Sequence, residues 1–200
     1  MPEIRDLTFS YGGKPVFSGL NLSLPLGSRT ALLAPSGFGK TTLLRLLCGS
    51  LKPQSGSITG IPAEGIAMVF QEDRLLPGCT ILENLQLVAP ERPEAELTAL
   101  LGELGLSGWE HSRPGKLSGG MRRRAAIARA LVFASPLVIM DEPFKGLDEI
   151  TLASTLACVD RWLGDRTFLL VTHSPQEGER LSCRITRLDA LALDDTEITK

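Results

Sequence analysis

Two uninterrupted apolar runs limit the folds open to this chain more than any other feature: Leu137-Val138-Ile139-Met140 and Thr167-Phe168-Leu169-Leu170-Val171. A strand with water on one face alternates apolar and polar residues, whereas a run without that alternation has both faces covered, as in the middle of a mostly parallel sheet. Between the runs, Ile150 to Leu163 reads as helix, and strands alternating with helices predict an α/β fold with ligand sites at the carboxyl ends of its strands. The runs end at Asp141-Glu142 and Thr172-His173, so titratable side chains stand where such a sheet builds a site. A third short run, Thr30 to Leu33, leads through Gly37 and Gly39 into a helical stretch, Thr41 to Leu47, closed by Gly49.

The N-terminal third has a different rhythm. Ile4 to Phe9 and Phe17 to Leu26 alternate apolar and polar residues around a turn at Tyr11-Gly12-Gly13-Lys14-Pro15, which predicts an antiparallel β layer. Helical periodicity recurs in Glu94 to Leu104 and in Met121 to Phe133, inside a section of about Glu83 to Ala134 that reads as a helical insert. No repeat, low-complexity tract or linker divides the sequence, so residues 1–200 are expected to form one domain with an inserted lobe.

Composition removes several classes. With Lys+Arg 21 against Asp+Glu 23, the net charge of −2 gives no general field for nucleic acid or an anionic membrane. The longest charge-free stretch, Pro15 to Ser28, contains Gly, Asn and two prolines and cannot be a spanning helix. The first residues lack a secretory pattern, which makes the cytoplasm the expected compartment. Cys48, Cys79, Cys158 and Cys183 form no C-x-x-C pair, which argues against zinc and a disulfide framework.

The segment Ala34-Pro35-Ser36-Gly37-Phe38-Gly39-Lys40-Thr41-Thr42 matches the phosphate-binding pattern G-x-x-x-x-G-K-[ST] at every fixed position but the first, where Ala34 replaces glycine. Successive N–H groups at a helix N-terminus suit a polyphosphate, with Lys40 reaching the β/γ oxygens and the Thr41 hydroxyl on magnesium. Ala34 fits if its φ stays negative. Asp141 and Glu142 are costly at the end of a buried strand unless they are used. In phosphate chemistry the first holds magnesium and the second polarises the attacking water. The competing readings are a Gly-rich turn before a core helix and an acidic exit from a strand.

Leu117-Ser118-Gly119-Gly120-Met121, followed by Arg122-Arg123-Arg124, completes a set that resembles the ATP-binding cassette family, whose signature begins L-S-G-G within a helical subdomain; Met121 stands where glutamine is commoner. The resemblance covers nearly the whole chain and implies a P-loop NTPase core. By that likeness Tyr11 stacks on adenine, and Ser36, Gly37, Phe38, Gly39, Lys40, Thr41 and Thr42 hold the phosphates. Gln71, in Val69-Phe70-Gln71-Glu72, looks like the glutamine that joins the core to the helical lobe and senses magnesium and water. Asp148, in Gly146-Leu147-Asp148, is similar to the interface-crossing loop, and His173 resembles the switch histidine at the γ-phosphate. The family's cycle implies two cassettes closing head to tail on two ATP molecules. Ser118, Gly119 and Gly120 then serve the partner's nucleotide, while Lys40, Gln71, Glu142 and His173 carry catalysis and Thr41, Gln71 and Asp141 take Mg2+.

A finer resemblance, to cassettes of nitrate, sulfonate and taurine importers, rests on Phe70 to Pro77, Ser118 to Arg124 and Asp141 to Asp148. It implies a peripheral subunit on the cytoplasmic face of the membrane, working with a separate transmembrane permease and a solute-binding protein and without nucleic acid. Leu75, Leu76, Pro77 and Ile81 are candidates to meet the permease's coupling helix, with packing inside the lobe as the competing reading for some of them. The end at Lys200 leads to the expectation of no regulatory domain. Two other readings stay open from sequence: a soluble cassette ATPase acting on ribosomes or DNA, and a nucleotide-binding module with little turnover. The triple arginine is read as a solvated or acid-paired face, and Trp109 and Trp162 as packing residues.

Overall fold

The computed structural model describes residues 1–35 and 37–188. In chain order the strands and helices are β1 (Glu3–Tyr11), β2 (Lys14–Ser23), β3 (Arg29–Leu33), α1 (Lys40–Leu47), β4 (Ser55–Thr59), β5 (Ala67–Val69), α2 (Ile81–Gln86), α3 (Glu94–Glu103), α4 (Gly119–Val132), β6 (Leu137–Asp141), α5 (Glu149–Leu163), β7 (Thr167–Thr172), α6 (Pro175–Arg180) and β8 (Arg184–Arg187). The described residues gather into two compact units, one of residues 1–66 with 165–188 and one of residues 67–164. No described helix is long and apolar enough to cross a membrane.

In the first unit, β1 and β2 form an antiparallel hairpin that pairs Tyr11 with Lys14, and β4 adds to the other edge of β1. The two residues of the turn, Gly12 and Gly13, both have positive φ, the combination a tight hairpin needs to match the twist of its strands. Ile4, Leu7, Phe9, Phe17, Leu20 and Leu22 are buried, so the alternation in the sequence marks the covered face. The same unit holds a parallel group with β3 between β7 and β8. All six residues of β7 are buried, in keeping with its unbroken apolar run. Helix α6 lies on β3 through Gly178, where a Cβ would fall 2.7 Å from that of Ala31.

The second unit pairs β5 with β6 in parallel, and all five residues of β6 are buried. Its helical part runs from α2 to α4, with Leu82, Leu85, Leu97, Leu100, Leu101, Ile127 and Leu131 among its buried residues. Helix α2 starts with a reciprocal cap: the Glu83 amide donates to Thr80 Oγ1 at 3.2 Å, and the Thr80 amide donates to Glu83 Oε2 at 2.6 Å. Trp162 donates its indole N–H to Glu103 Oε2 at 3.1 Å and faces the Arg92 guanidinium, a packing role as expected. Trp109 departs from that expectation, being 37% exposed.

Candidate functional site

In the first unit the phosphate-loop residues follow β3. Ala34 is buried and lies outside the positive-φ region, so alanine is tolerated at the position that departs from the pattern. Positive φ at Gly37 and Gly39, with Phe38 between them, is the alternation that turns successive N–H groups into one concavity. Gly39 opens α1, and its carbonyl accepts the Leu43 amide at 2.8 Å. Lys40 folds back so that Nζ donates to the Ala34 carbonyl at 3.1 Å, spanning the loop from its lysine position to its first fixed position. Thr41 is exposed, Thr42 is buried and the Phe38 ring is 47% exposed. Ser36 lies outside the described residues.

The strand register brings His173 to this loop. Leu33 of β3 pairs with Thr172 of β7, so the phosphate loop and His173 leave adjacent parallel strands at the same level of the carboxyl edge. Thr172 fixes the turn there: its hydroxyl donates to Glu177 Oε2 at 2.6 Å and accepts the Ser174 amide at 3.1 Å, while His173 is exposed. The hairpin carrying Tyr11 is seated on the loop, because Val16 and Phe17 close against Gly39. The Tyr11 ring is 46% exposed, edge-on to Phe9 at 4.9 Å.

In the second unit, Asp141 ends β6 and is buried. Glu142 follows with φ of 45°, an unusual left-handed conformation for a non-glycine residue, and its carboxylate meets Lys145 Nζ at 3.5 Å. Asp148 caps α5, accepting the Thr151 amide at 3.0 Å and the Thr151 hydroxyl at 2.7 Å, and these bonds hold its carboxyl below the usual range. Ser118 Oγ accepts the Met121 amide at 3.3 Å and so caps α4, with Ser118 and Gly119 exposed. Ideal Cβ geometry at Gly120 falls 3.5 Å from Leu147, which joins the signature segment to the loop before Asp148.

Gln71 is exposed just beyond β5, and the arginines of α4 hold its main chain. Arg123 donates to the Phe70 carbonyl at 2.7 Å and to the Gln71 carbonyl, and Arg129 donates to the Arg74 carbonyl at 2.8 Å. Burial lowers the pKa of the Arg129 guanidinium from its ordinary value. Arg122 and Arg123 also pair with Asp73 at 3.6 and 3.2 Å, in line with an acid-paired face, but the bonds to backbone carbonyls were not visible in the sequence. The Glu142–Lys145 pair was missed too, although an i, i+3 spacing of opposite charges is its signal. Of the residues expected to meet a permease, Leu76 and Pro77 are exposed and Leu75 is half-buried, but Ile81 is fully buried. Ile81 is the first residue of α2 and packs within the lobe.

Each by itself, the Thr41 hydroxyl in the first unit and the Gln71 amide oxygen and Asp141 carboxylate in the second are hard oxygen donors of the kind magnesium accepts.

A family profile described as ABC transporter matches residues 17–145. The aliphatic sulfonates import ATP-binding protein SsuB 1 of Rhodococcus jostii (strain RHA1) is 40% identical over 204 residues, covering 99% of this chain and 81% of that protein. A solved ATP-binding subunit of an ABC transporter superposes with a TM-score of 0.83 at 28% identity, covering 94% of this chain and 85% of its own. A dimeric ATP-binding cassette in a post-hydrolysis state, bound to ADP and Pi, superposes with a TM-score of 0.79 at 25% identity, covering 94% of each chain.

Proposed function

This chain belongs to the ABC transporter family, and we propose that it is the ATP-hydrolysing subunit that powers import of a small solute through a separate membrane permease. The observation that best supports a phosphate-handling site is the Leu33–Thr172 register, which sets His173 beside a loop already shaped to receive anions. The relative's name supports an aliphatic sulfonate as the first solute to test.

In this reading the backbone amides from Gly37 to Thr41, with Ser36 and Thr42, hold the ATP phosphates, Lys40 leaves the Ala34 carbonyl for the β/γ oxygens, and Tyr11 covers the adenine. Glu142 accepts the proton of the attacking water, His173 contacts the γ-phosphate and Gln71 orients the water. Thr41, Gln71 and Asp141 would hold Mg2+, which would supply positive charge to offset that of the phosphates. A second copy, or a paired cassette, presents Ser118, Gly119 and Gly120 to the same nucleotide, with Asp148 at the dimer seam. Closure draws on binding energy available only with ATP in place, so hydrolysis reopens the pair and drives the permease. The subunit then works at the cytoplasmic face of the membrane, with a solute-binding protein in the complex.

The test is a pull-down of tagged chain from detergent-solubilised cells of its source. A polytopic membrane protein in the eluate is the expected result. Ribosomes or DNA in its place would overturn the transport reading and leave the ATPase standing. In parallel, Glu142→Gln should stop turnover and accumulate an ATP-loaded dimer; continued turnover would remove Glu142 from the role of base.

A further inference from the structure

Beyond Val69 the β5 ladder stops, yet the next residues are tied down. Four of their carbonyls, those of Phe70, Gln71, Asp73 and Arg74, accept guanidinium N–H groups from two residues of α4. Arg123 spans the first two, and Arg129 takes the last two at 3.4 and 2.8 Å while also donating to Asn84 Oδ1 at 3.4 Å. The Arg123 side chain is only 13% exposed. Its 3.2 Å approach to Asp73 Oδ1 is a charge contact without hydrogen-bond alignment, because that oxygen has no hydrogen-bond partner. The carbonyl bonds are therefore what orient the guanidinium. On the loop side, the Arg74 guanidinium stacks 3.8 Å over the Phe70 ring and closes the segment on itself.

We propose that Arg123 is a positioning residue for Gln71, and that its fork across the Phe70 and Gln71 carbonyls makes the glutamine loop move as one body with the signature helix. The inference deepens the reading of Gln71 given above and rests on it. A planar guanidinium presents a preset fork to two successive carbonyls, whereas a lysine ammonium is a point charge on a flexible stem without that fixed geometry. With its own carbonyl fixed, Gln71 projects its exposed amide from a defined origin. That origin travels with α4, whose first turn carries Ser118, Gly119 and Gly120. Any displacement of the signature segment is thereby transmitted to the residue that orients the water, and any displacement of residues 70–74 is transmitted to the signature.

The full chain tests this in two ways. Arg74 is exposed and Leu75 half-buried, so the Arg74–Leu75 bond offers trypsin a site, and Arg123→Ala should speed cleavage there by about tenfold while other sites keep their rates. For ATP turnover, Arg123→Ala should lower kcat by about tenfold or more, the scale of a sub-ångström to ångström misplacement, with KM for ATP within about twofold. In a Gln71→Ala background the same substitution should cost nothing further, because both changes act on one group. Arg123→Lys keeps the charge beside Asp73 and should remain within about twofold of Arg123→Ala.

Unchanged cleavage at Arg74, independent losses in the two backgrounds, or full rescue by Arg123→Lys would each overturn the proposal. If Gln71→Ala alone leaves turnover intact, the role of Gln71 in hydrolysis fails. The cleavage rate then decides the clasp by itself.

Discussion

Gly37 and Gly39 have nearly the same φ but different surroundings, so alanine at each position separates strain from crowding. At both, alanine must hold a left-handed φ, 87° and 80° respectively, which costs an L-residue about 1–2 kcal/mol. At Gly37 the added methyl meets nothing within 4 Å, and that strain is the whole penalty. At Gly39 the methyl would fall 2.7 Å from Val16 Cγ1 and 2.8 Å from Phe17 Cζ. Phe17 is 1% exposed and has no free volume to swing into, so overpacking adds about 1–3 kcal/mol. The totals are about 1–2 kcal/mol for Gly37→Ala and about 2–5 kcal/mol for Gly39→Ala. Urea unfolding without nucleotide is the assay, since bound ligand would add its own stabilisation. With a slope of about 2 kcal/mol per M, the midpoint should fall by about 0.5–1 M for the first and about 1–2.5 M for the second. Equal shifts would refute the claim that the hairpin is seated against the loop.

Lys40→Ala removes the side chain that bridges to the Ala34 carbonyl and the charge offered to the phosphates; ATP binding should weaken and turnover vanish, and normal turnover would refute the phosphate-loop assignment. Thr80→Ala should cost about 1 kcal/mol of stability through loss of the α2 cap, read by thermal unfolding. The bonds from Thr80 hold the Glu83 carboxyl below its ordinary 4.5, so its contribution is present above that pH and is lost as pH falls through the lower, folded value. A cap-dependent stability difference that persists unchanged into strong acid would contradict this. Burial and the Glu103 carboxylate push the Cys158 thiol up to about 12, so a thiol reagent at pH 8 should label exposed Cys48 in the native chain and reach Cys158 only on unfolding. The same shift keeps Cys158 protonated when folded, so its contribution is full below the ordinary 9.0 and is lost as pH rises toward about 12.

Long-range character was readable wherever the pattern was dense. The unbroken apolar runs became β6 and β7, and the glycine loop sits between β3 and α1, with Lys40 as the first residue of the helix, as its spacing demands. Elements with little apolar content were not readable. Strand β4, Ser55-Gly56-Ser57-Ile58-Thr59, has no buried residue and exists through its pairing with β1, while β8 is an edge strand bracketed by Arg184 and Arg187. Helix α6 spans six residues with one buried glycine, too short for a periodicity to emerge. At the candidate site the residue types were legible, but the partners of α4 were not. Arg123 and Arg129 bond to main-chain carbonyls some fifty residues away, and a carbonyl carries no mark in a one-letter code. Ile81 was ambiguous for the opposite reason: an apolar residue at a loop's end suits an interface or a core equally, and its burial places it in the core.

The register of β3 also dictates an order of assembly on the ribosome. Both neighbours of β3, strands β7 and β8, are translated only after the whole of residues 67–164. A nascent chain therefore exposes both edges of Arg29–Leu33, with Ala31 and Leu32 bare, throughout synthesis of the helical unit. The strand that ends in the phosphate loop is among the first pieces made and among the last completed. Every newly synthesised copy passes through a stage in which both lateral edges of β3 are an open template for wrong pairing.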